Sequence, residues 1–343
     1  MLYVTTRSKQ DVYTAQRALT QRRAPDGGFY IPFREPRFTR DQLLALGSQS
    51  FQESTAQILN LLFGARLTPW DVEFSVGRRP VRLEKIGRRV LVGERWHNCA
   101  GQFRQTVQDL TGRIRSEKGE SIGAWAEIGV GIATLFGMFS EHPELLSGEA
   151  AMDVAAASGD LFSVVSAWYA RSWGLPIGTI VICCNDNGGL WELLHSGTLR
   201  TDGISRETST PEADTVLPEG LEILLCACGG QQESLRYLEA VRVGAAYTPS
   251  EWVLSQLRKG LFVSVIGERR VEQTISSVYS SHHYLMSPYT ALGYAGLSDH
   301  RTRTGDSGWG LILADRSPAL DGEIAAHALG ISRETLKEYL NQE

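Results

Sequence analysis

The sequence predicts an α/β protein in which a parallel or mixed sheet is flanked by helices. Residues 179–184 form a continuous apolar run, which is typical of a buried parallel strand. Turn residues at 185–189 follow this run, and helical spacing resumes over 190–195. Another apolar run at 310–314 predicts a last buried strand. With 343 residues, of which 42% are apolar, the chain can form two or three domains or one large α/β body.

The other elements follow from apolar periodicity and turn residues, taken in chain order. Strand-like or apolar runs lie at residues 2–6, 29–32, 151–157, 221–227 and 262–266. Helical spacing predicts helices at residues 10–22, 50–63, 106–118, 122–139, 161–173, 231–241, 248–259 and 269–281, with others beginning near 41, 321 and 332. Thr39 and Ser121 are expected N-caps, and residues 287–289 are expected to form a loop.

The composition argues against several classes of protein. A net charge of −5 and a pI near 5.9 give no electrostatic reason to expect nucleic acid as a partner. Five cysteines, an odd number, fit a reducing cytoplasm better than a disulfide framework. The N-terminus lacks the apolar run of a signal peptide, and the apolar helix at 122–139 is interpreted as a core helix, not a membrane span. We expect a cytoplasmic homodimer with a small-molecule substrate. We expect no metal site, because no matching carboxylate or Cys lies at ligand spacing from the His282–His283 pair.

Residues 93–105 hold the densest run of chemically capable side chains in the sequence. They follow a strand-like run at 89–92 and precede a helix-like run. A strand that leads through a loop into a helix is a common place for a site in an α/β protein. We therefore expect a site here, with Arg104 as the residue that decides its chemistry.

Several different short motifs occur along the chain in a characteristic order. They are YVTTR at 3–7, APDGGFYIP at 24–32, SIGAWAEI at 121–128, SGDLFS at 158–163, GLPI at 174–177, NDNG at 185–188, SPYTALG at 287–293 and ADRSP at 314–318. Together they resemble threonine synthase, a pyridoxal-phosphate enzyme of fold type II. The resemblance covers most of the chain and implies that family's scaffold. We divide it into an N-terminal subdomain at 1–88 and an α/β core domain with a degenerate cofactor cleft at 89–343.

The same resemblance implies that the family's reaction is lost. The family's lysine, which forms the Schiff base with the cofactor, falls on Arg104, and a guanidinium cannot serve as that amine nucleophile. A glycine of the phosphate loop falls on Phe162, Asp160 adds a carboxylate there, and the threonine near the pyridine nitrogen falls on Asp315. Only residues 105–120 lie where the family has a small cofactor-clamping domain. We therefore expect a scaffold with that domain deleted, and no cofactor.

The candidate catalytic residues are His97, Arg104, His283 and Glu94. A histidine can transfer protons near neutral pH, and Arg104 can hold an anion. Each has a structural alternative as a satisfied histidine, a surface arginine or an ion-paired carboxylate. Cys99, close to His97, is a weaker candidate nucleophile. The candidate substrate-binding residues are Trp96, Asn98, Ser158, Asp160, Asn185, Asn187, His282, Tyr284, Tyr289 and Asp315.

Three functions remain open at this point. The first is a cofactor-independent cyclase or dehydratase, a lyase-type acid–base catalyst for an unstable intermediate of bacterial specialised metabolism, such as an alkaloid or a polyketide-like compound. Its aromatic candidates would suit an aromatic or polyene substrate. The second is a non-catalytic protein that binds a ligand or a partner in the inherited cleft. The third is a remnant lyase that holds pyridoxal phosphate without a covalent bond.

Overall fold

The structure, a computed structural model, describes residues 1–77, 81–97, 102–115, 121–147 and 151–340. Its strands are β1 (Leu2–Thr5), β2 (Tyr13–Thr14), β3 (Tyr30–Pro32), β4 (Arg82–Lys85), β5 (Val90–Glu94), β6 (Met152–Ala157), β7 (Ile177–Cys184), β8 (Leu261–Val265) and β9 (Gly310–Ala314). Its α-helices are α1 (Ala15–Thr20), α2 (Arg40–Leu46), α3 (Phe51–Phe63), α4 (Pro69–Val76), α5 (Phe103–Ile114), α6 (Ala124–Ser140), α7 (Pro143–Leu146), α8 (Leu161–Trp173), α9 (Gly189–Ser196), α10 (Leu221–Gly229), α11 (Gln231–Val243), α12 (Glu251–Gly260), α13 (Glu268–His282), α14 (Pro288–Thr304), α15 (Gly322–Leu329) and α16 (Arg333–Leu340).

A six-stranded sheet forms the centre of the molecule. Its strand order is β4-β5-β9-β6-β7-β8, and all pairings are parallel except that of the edge strand β4 with β5. The predicted α/β class with a mixed sheet is confirmed. In β5, Val90 and Val92 pack in the layer of α13 and α14, whereas Leu91 packs into the core on the other face. Neighbouring residues of β5 therefore serve opposite layers, as the period of a strand requires.

Helix α6 passes through the larger core and is buried along almost its whole length. Its glycines allow neighbouring helices to approach closely. A Cβ on Gly131 would overlap the Ser166 hydroxyl of α8, and one on Gly137 would lie 2.7 Å from the Phe51 ring of α3. In the described part of the chain, no helix combines the length and the apolar character needed to cross a membrane.

A three-stranded antiparallel sheet, in the order β2-β1-β3, packs beside α3 and α6. The Tyr3 hydroxyl donates to the Leu62 carbonyl at 2.8 Å and accepts from Trp125 Nε1 at 3.2 Å. The helix predicted over 10–22 is shorter than expected, because β2 occupies its first part and only α1 is helical. Strand β4 lies before residue 88 and pairs with β5, which lies after it, so the two sides of the predicted domain boundary share one sheet. The division into domains at residue 88 stays a prediction.

The strand predicted at 221–227 is wrong, because this segment is helix α10. A short apolar run buried on all sides fits a helix as well as a strand, and periodicity alone does not separate the two. Two glycines with positive φ bound the helix, Gly220 at 102° and Gly230 at 74°. These backbone conformations favour glycine, and they interrupt the chain on both sides of the helix.

Two predicted boundaries also differ from the structure. The hydroxyl of Ser121 donates to the Thr20 carbonyl, and Gly123 is the N-cap of α6 instead. Residues 287–289, predicted as a loop, lie at the start of α14, with Ser287 as its N-cap and Pro288 as its first residue. Proline suits this position because the first helical N–H has no acceptor within the helix.

The interval between Arg104 and Ser121 holds no additional domain. Residues 105–114 of this interval are the continuation of α5, and α6 begins at Ala124. Too few residues remain for an α/β unit, so α5 leads to the buried helix α6 within a short span of chain.

Candidate functional site

A cavity of about 320 Å³ lies at the carboxyl ends of the central strands, between the first turns of α5 and α8. This end of a parallel sheet is where α/β proteins usually bind ligands. Apolar and charged side chains share its wall. The lining residues are Arg22, Gln102, Phe103, Arg104, Val107, Glu127, Ala157, Gly159, Leu161, Phe162, Ser163, Ser166, Glu212, Glu219, Tyr289, Leu313, Asp315 and Arg316.

A buried ion pair forms one wall of the cavity. Arg95 is fully buried, and its Nε and Nη2 atoms donate to the two carboxylate oxygens of Asp315, both at 2.5 Å. Nη2 also donates to Ser163, whose hydroxyl lies 3.3 Å from Asp315 Oδ2. The guanidinium stacks 3.9 Å from the centre of the Phe103 ring. Asp315 lines the cavity, and its carboxylate is held in a bidentate pair whose partner the sequence did not single out.

Arg104 is the second residue of α5, and its exposed side chain lines the cavity. Within the described ranges, no carboxylate forms an ion pair with it. Of the four predicted catalytic residues, only Arg104 lines the cavity.

The rim of the cavity carries arginine–carboxylate clusters that the sequence did not reveal. Arg22 binds Glu127 at 2.7 Å and also pairs with Glu219. Arg316 binds Asp321 at 2.9 Å and Glu212 at 3.4 Å. Apart from Arg316 and Asp321, which are close in the sequence, these residues come from distant segments, so no local motif could have joined them.

Tyr289, a predicted substrate-binding residue, also lines the cavity. Its hydroxyl oxygen accepts from the backbone N–H of Glu212 at 3.1 Å. Burial raises the pKa of Tyr289 to about 12, so the hydroxyl stays protonated at neutral pH. Because the hydroxyl oxygen accepts this bond, its proton remains available for another acceptor.

The turn at residues 158–160, matched to the family's phosphate loop, leads into α8. Ser158 is buried and its hydroxyl bonds to Cys184 instead of lining the cavity. Gly159 packs against the chain itself, since a Cβ there would lie 2.7 Å from the Glu212 carbonyl oxygen. The side chain of Asp160 lies outside the described part of the structure.

Glu94, His97 and Tyr284 form a separate cluster in the layer of α13 and α14. Tyr284 donates its hydroxyl to buried Glu94 at 2.8 Å, and His97 Nδ1 lies 4.0 Å from Glu94 Oε2. Burial and, secondarily, nearby Arg82 lower the pKa of His97, whereas burial and Glu94 raise the pKa of Tyr284. The Trp96 ring packs edge-on against His97 with 6.0 Å between ring centres. None of these side chains is in the described lining of the cavity.

His282 and His283 are exposed at the end of α13, away from the cavity lining. The His282 ring lies against Gly87, and His283 ends the helix with a φ of 53°. Asn98 and Cys99 lie outside the described residues. The roles predicted for the two histidines stay predictions, and their positions do not bring them to the cavity.

Asn185 and Asn187 hold a loop in place. The Asn185 amide donates to Thr208 at 2.8 Å and to Asp214 at 2.7 Å, and Asn187 donates to Asp214 at 3.0 Å. Asn187 also borders a second, more open cavity of about 440 Å³, but Asn185 does not. Both amides anchor the segment that carries Glu212 toward the main cavity.

Part of this sequence is similar to threonine synthases. Residues 2–77 match the family model "Threonine synthase N terminus". The chain is 23% identical to threonine synthase of Pseudomonas aeruginosa over 229 residues, covering 62% of this chain and 48% of that protein. Threonine synthase of Saccharomyces cerevisiae is 21% identical over 285 residues, covering 75% and 54%. This chain thus spans about half the length of these curated relatives.

Solved structures show the same fold. The crystal structure of yeast threonine synthase superposes with a TM-score of 0.84 at 16% identity, covering 98% of this chain and 93% of that one. The chain is threonine synthase-like. PLP-bound threonine synthase from Brucella melitensis superposes with a TM-score of 0.80 at 20% identity, covering 96% and 92%. The resemblance inferred from the short motifs is therefore confirmed for this threonine synthase-like chain.

The cavity of this threonine synthase-like chain does not fit pyridoxal phosphate. No lysine is among its described lining residues, and Arg104 stands where the resemblance places the family's lysine. Beside the turn matched to the phosphate loop, the carbonyl oxygen of Glu212 lies against Gly159, and an acceptor oxygen there opposes a phosphate. Where the threonine near the ring nitrogen falls, Asp315 is already bound to Arg95. The anchor and the phosphate site therefore differ from what the cofactor requires, and the ring site differs from the family's pattern because its carboxylate is already paired.

Proposed function

We propose that the protein is a cofactor-independent enzyme, a cyclase or dehydratase of the lyase type, that acts on a small molecule in this cavity. The observation that carries the proposal is a retained cavity whose described lining holds Arg104 and charged pairs but no lysine. Its relatives are named as threonine synthases, which supports an enzymatic role on this scaffold. Specialised bacterial metabolism is the proposed context, and a homodimer in the cytoplasm is the proposed state.

The cavity offers both a proton donor and a proton acceptor. Tyr289 presents a protonated hydroxyl that can donate to an oxygen on which negative charge develops. Glu127 binds Arg22 through one carboxylate oxygen, and its side chain is about a quarter exposed, at 26%. Its other oxygen can accept a proton from the substrate. Arg104 holds an anionic group, and the Arg95–Asp315 pair fixes the wall against which the substrate rests.

These roles suit a reaction in which one proton is removed and another is delivered. Loss of water or closure of a ring on an unstable intermediate needs this exchange and a shape that excludes water. Neither step requires an amine nucleophile. Glu94, His97 and His283, which the sequence favoured as catalysts, are not used in this scheme because they lie outside the cavity lining.

The test is deletion of the gene in the source organism, followed by complementation and untargeted mass spectrometry of metabolites. Deletion should remove a product and accumulate its precursor. Tyr289→Phe, Glu127→Gln and Arg104→Gln should each restore roughly 100-fold less product than the wild type, as loss of one transition-state contact does. His283→Ala, the matched control outside the cavity, should restore it fully. Full restoration by all three cavity variants would exclude catalysis there.

One observation favours a second candidate, a non-catalytic binding protein. Each carboxylate in the described lining of the cavity, those of Glu127, Glu212, Glu219 and Asp315, forms an ion pair with an arginine. Paired carboxylates make a stable binding surface and are weaker bases. Under this alternative, deletion changes no metabolite while the purified protein still binds a ligand.

A further inference from the structure

We infer that the cavity binds a small monocarboxylate with an apolar body, and that it selects this class over phosphate monoesters. The carboxylate would rest on Arg104 and the body on the apolar wall. This inference rests on the proposed use of the cavity as the functional site, and it is tested by binding alone.

The charged side chains that line the cavity are mostly paired with one another. Among the lining residues that the structure describes, three carry a guanidinium group and four carry a carboxylate. Arg22 and Arg316 are already bound to carboxylates at the rim, and Asp315 is neutralised by Arg95 behind it. Among the described lining residues, Arg104 is therefore the cation left to meet a ligand.

One guanidinium suits one carboxylate. The planar fork of arginine donates two parallel hydrogen bonds to the two oxygens of a carboxylate. A phosphate monoester carries close to two negative charges at neutral pH and, among the lining residues that the structure describes, would meet one unpaired guanidinium and several carboxylates. The Glu212 carbonyl oxygen also lies beside Gly159, just before α8 begins, and an acceptor oxygen at this position disfavours a phosphate. The second charge of a phosphate is thus left uncompensated.

The rest of the wall defines the body of the ligand. Buried apolar side chains contribute Val107, Leu161, Phe162 and Leu313 to the lining, and the Tyr289 ring closes one side. A cavity of about 320 Å³ is at the small end for ligand sites. A flat, largely apolar body of one ring fits these walls.

The experiment measures three probes of matched shape by isothermal titration calorimetry with the full-length protein: benzoate, benzamide and phenyl phosphate. Benzoate should bind at least about 10-fold more tightly than either of the others, as a charge-assisted hydrogen bond predicts. Arg104→Gln should abolish the preference, and Arg104→Lys should keep part of it. Arg113→Gln is the matched control, because Arg113 lies on the same helix but stacks on Phe74 outside the cavity lining.

Equal or tighter binding of phenyl phosphate overturns the inference, and so does a benzoate preference that survives Arg104→Gln. Absence of binding by all three probes also overturns it. Because the titration involves no turnover, a clear benzoate preference together with an unchanged metabolite profile in the deletion strain would remove only the proposed catalysis. A changed profile without the preference would remove only the ligand class.

Discussion

Two polar clusters meet at the end of β5 and differ in what surrounds them. On one face, Arg95 and Asp315 form a wall of an open cavity. On the other, Glu94 and Tyr284 bond to each other in the layer of α13 and α14, outside the cavity lining. Glu94 and Arg95 are neighbours in the sequence but serve opposite layers. Polar density along the chain therefore does not locate a site until the alternation of the strand is taken into account.

The largest expected effect comes from breaking the pair at the cavity. Arg95→Met leaves Asp315 without its guanidinium, and removing one partner of a buried pair typically costs about 3–5 kcal/mol. Because Asp315 is 23% exposed, the lower end of that range is expected. Urea denaturation measures the loss. The double variant Arg95→Met with Asp315→Leu should recover most of it, and a double variant no more stable than the single one would contradict the pairing.

A smaller loss is expected on the other face. Tyr284→Phe removes a donor to buried Glu94, which typically costs about 1–3 kcal/mol of unfolding free energy. The same variant should leave the binding of benzoate unchanged, because Tyr284 does not line the cavity. A benzoate affinity that falls together with stability would show that the two clusters act as one.

The same face should show a modest pH dependence. Burial lowers the pKa of His97 below its ordinary value of 6.5, so the unfolded chain binds the extra proton more readily. The contribution of His97 to stability is present above pH 6.5 and is lost as pH falls through the lower pKa of the folded state. Unfolding midpoints measured from pH 8 to 5 should depend less steeply on pH in His97→Gln than in the wild type. His283→Ala should keep the wild-type slope, and an unchanged slope in His97→Gln would argue against the burial of this histidine.

The smallest expected effect on stability is at Arg104. Its side chain is exposed, and no described carboxylate pairs with it, so Arg104→Gln should change the free energy of unfolding by less than about 0.5 kcal/mol. This contrasts with Arg95, nine residues earlier in the sequence. A loss comparable to that of Arg95→Met would mean that Arg104 serves the fold and not a ligand.

Much of the fold was predictable because buried strands and capped helices leave local patterns. The apolar run of β7 and the helix α8 were found close to their true bounds, and Thr39 caps α2 through its side chain as expected. Helix α10 was missed because an apolar run buried on every side carries no period.

The site was predictable only in part. Arg104 and Asp315 were identified from their places in a family pattern, and both line the cavity. Arg95 lies within the stretch that the sequence singled out. Counting alternate residues along β5 would have placed its side chain on the face of the sheet opposite to that of Glu94. Arg22, Glu127, Glu212 and Arg316 meet only through tertiary packing, which no local spacing encodes.

The central claim is that this cavity works without pyridoxal phosphate, and one measurement tests it directly. The purified protein and a threonine synthase as positive control are each mixed with an equimolar amount of pyridoxal phosphate. Absorption spectra are recorded, and borohydride reduction and mass spectrometry follow. The account predicts an aldimine absorption band and a reduced lysine adduct in the control, and neither in this protein. A stoichiometric adduct on one lysine of this chain, with the aldimine band, would contradict it.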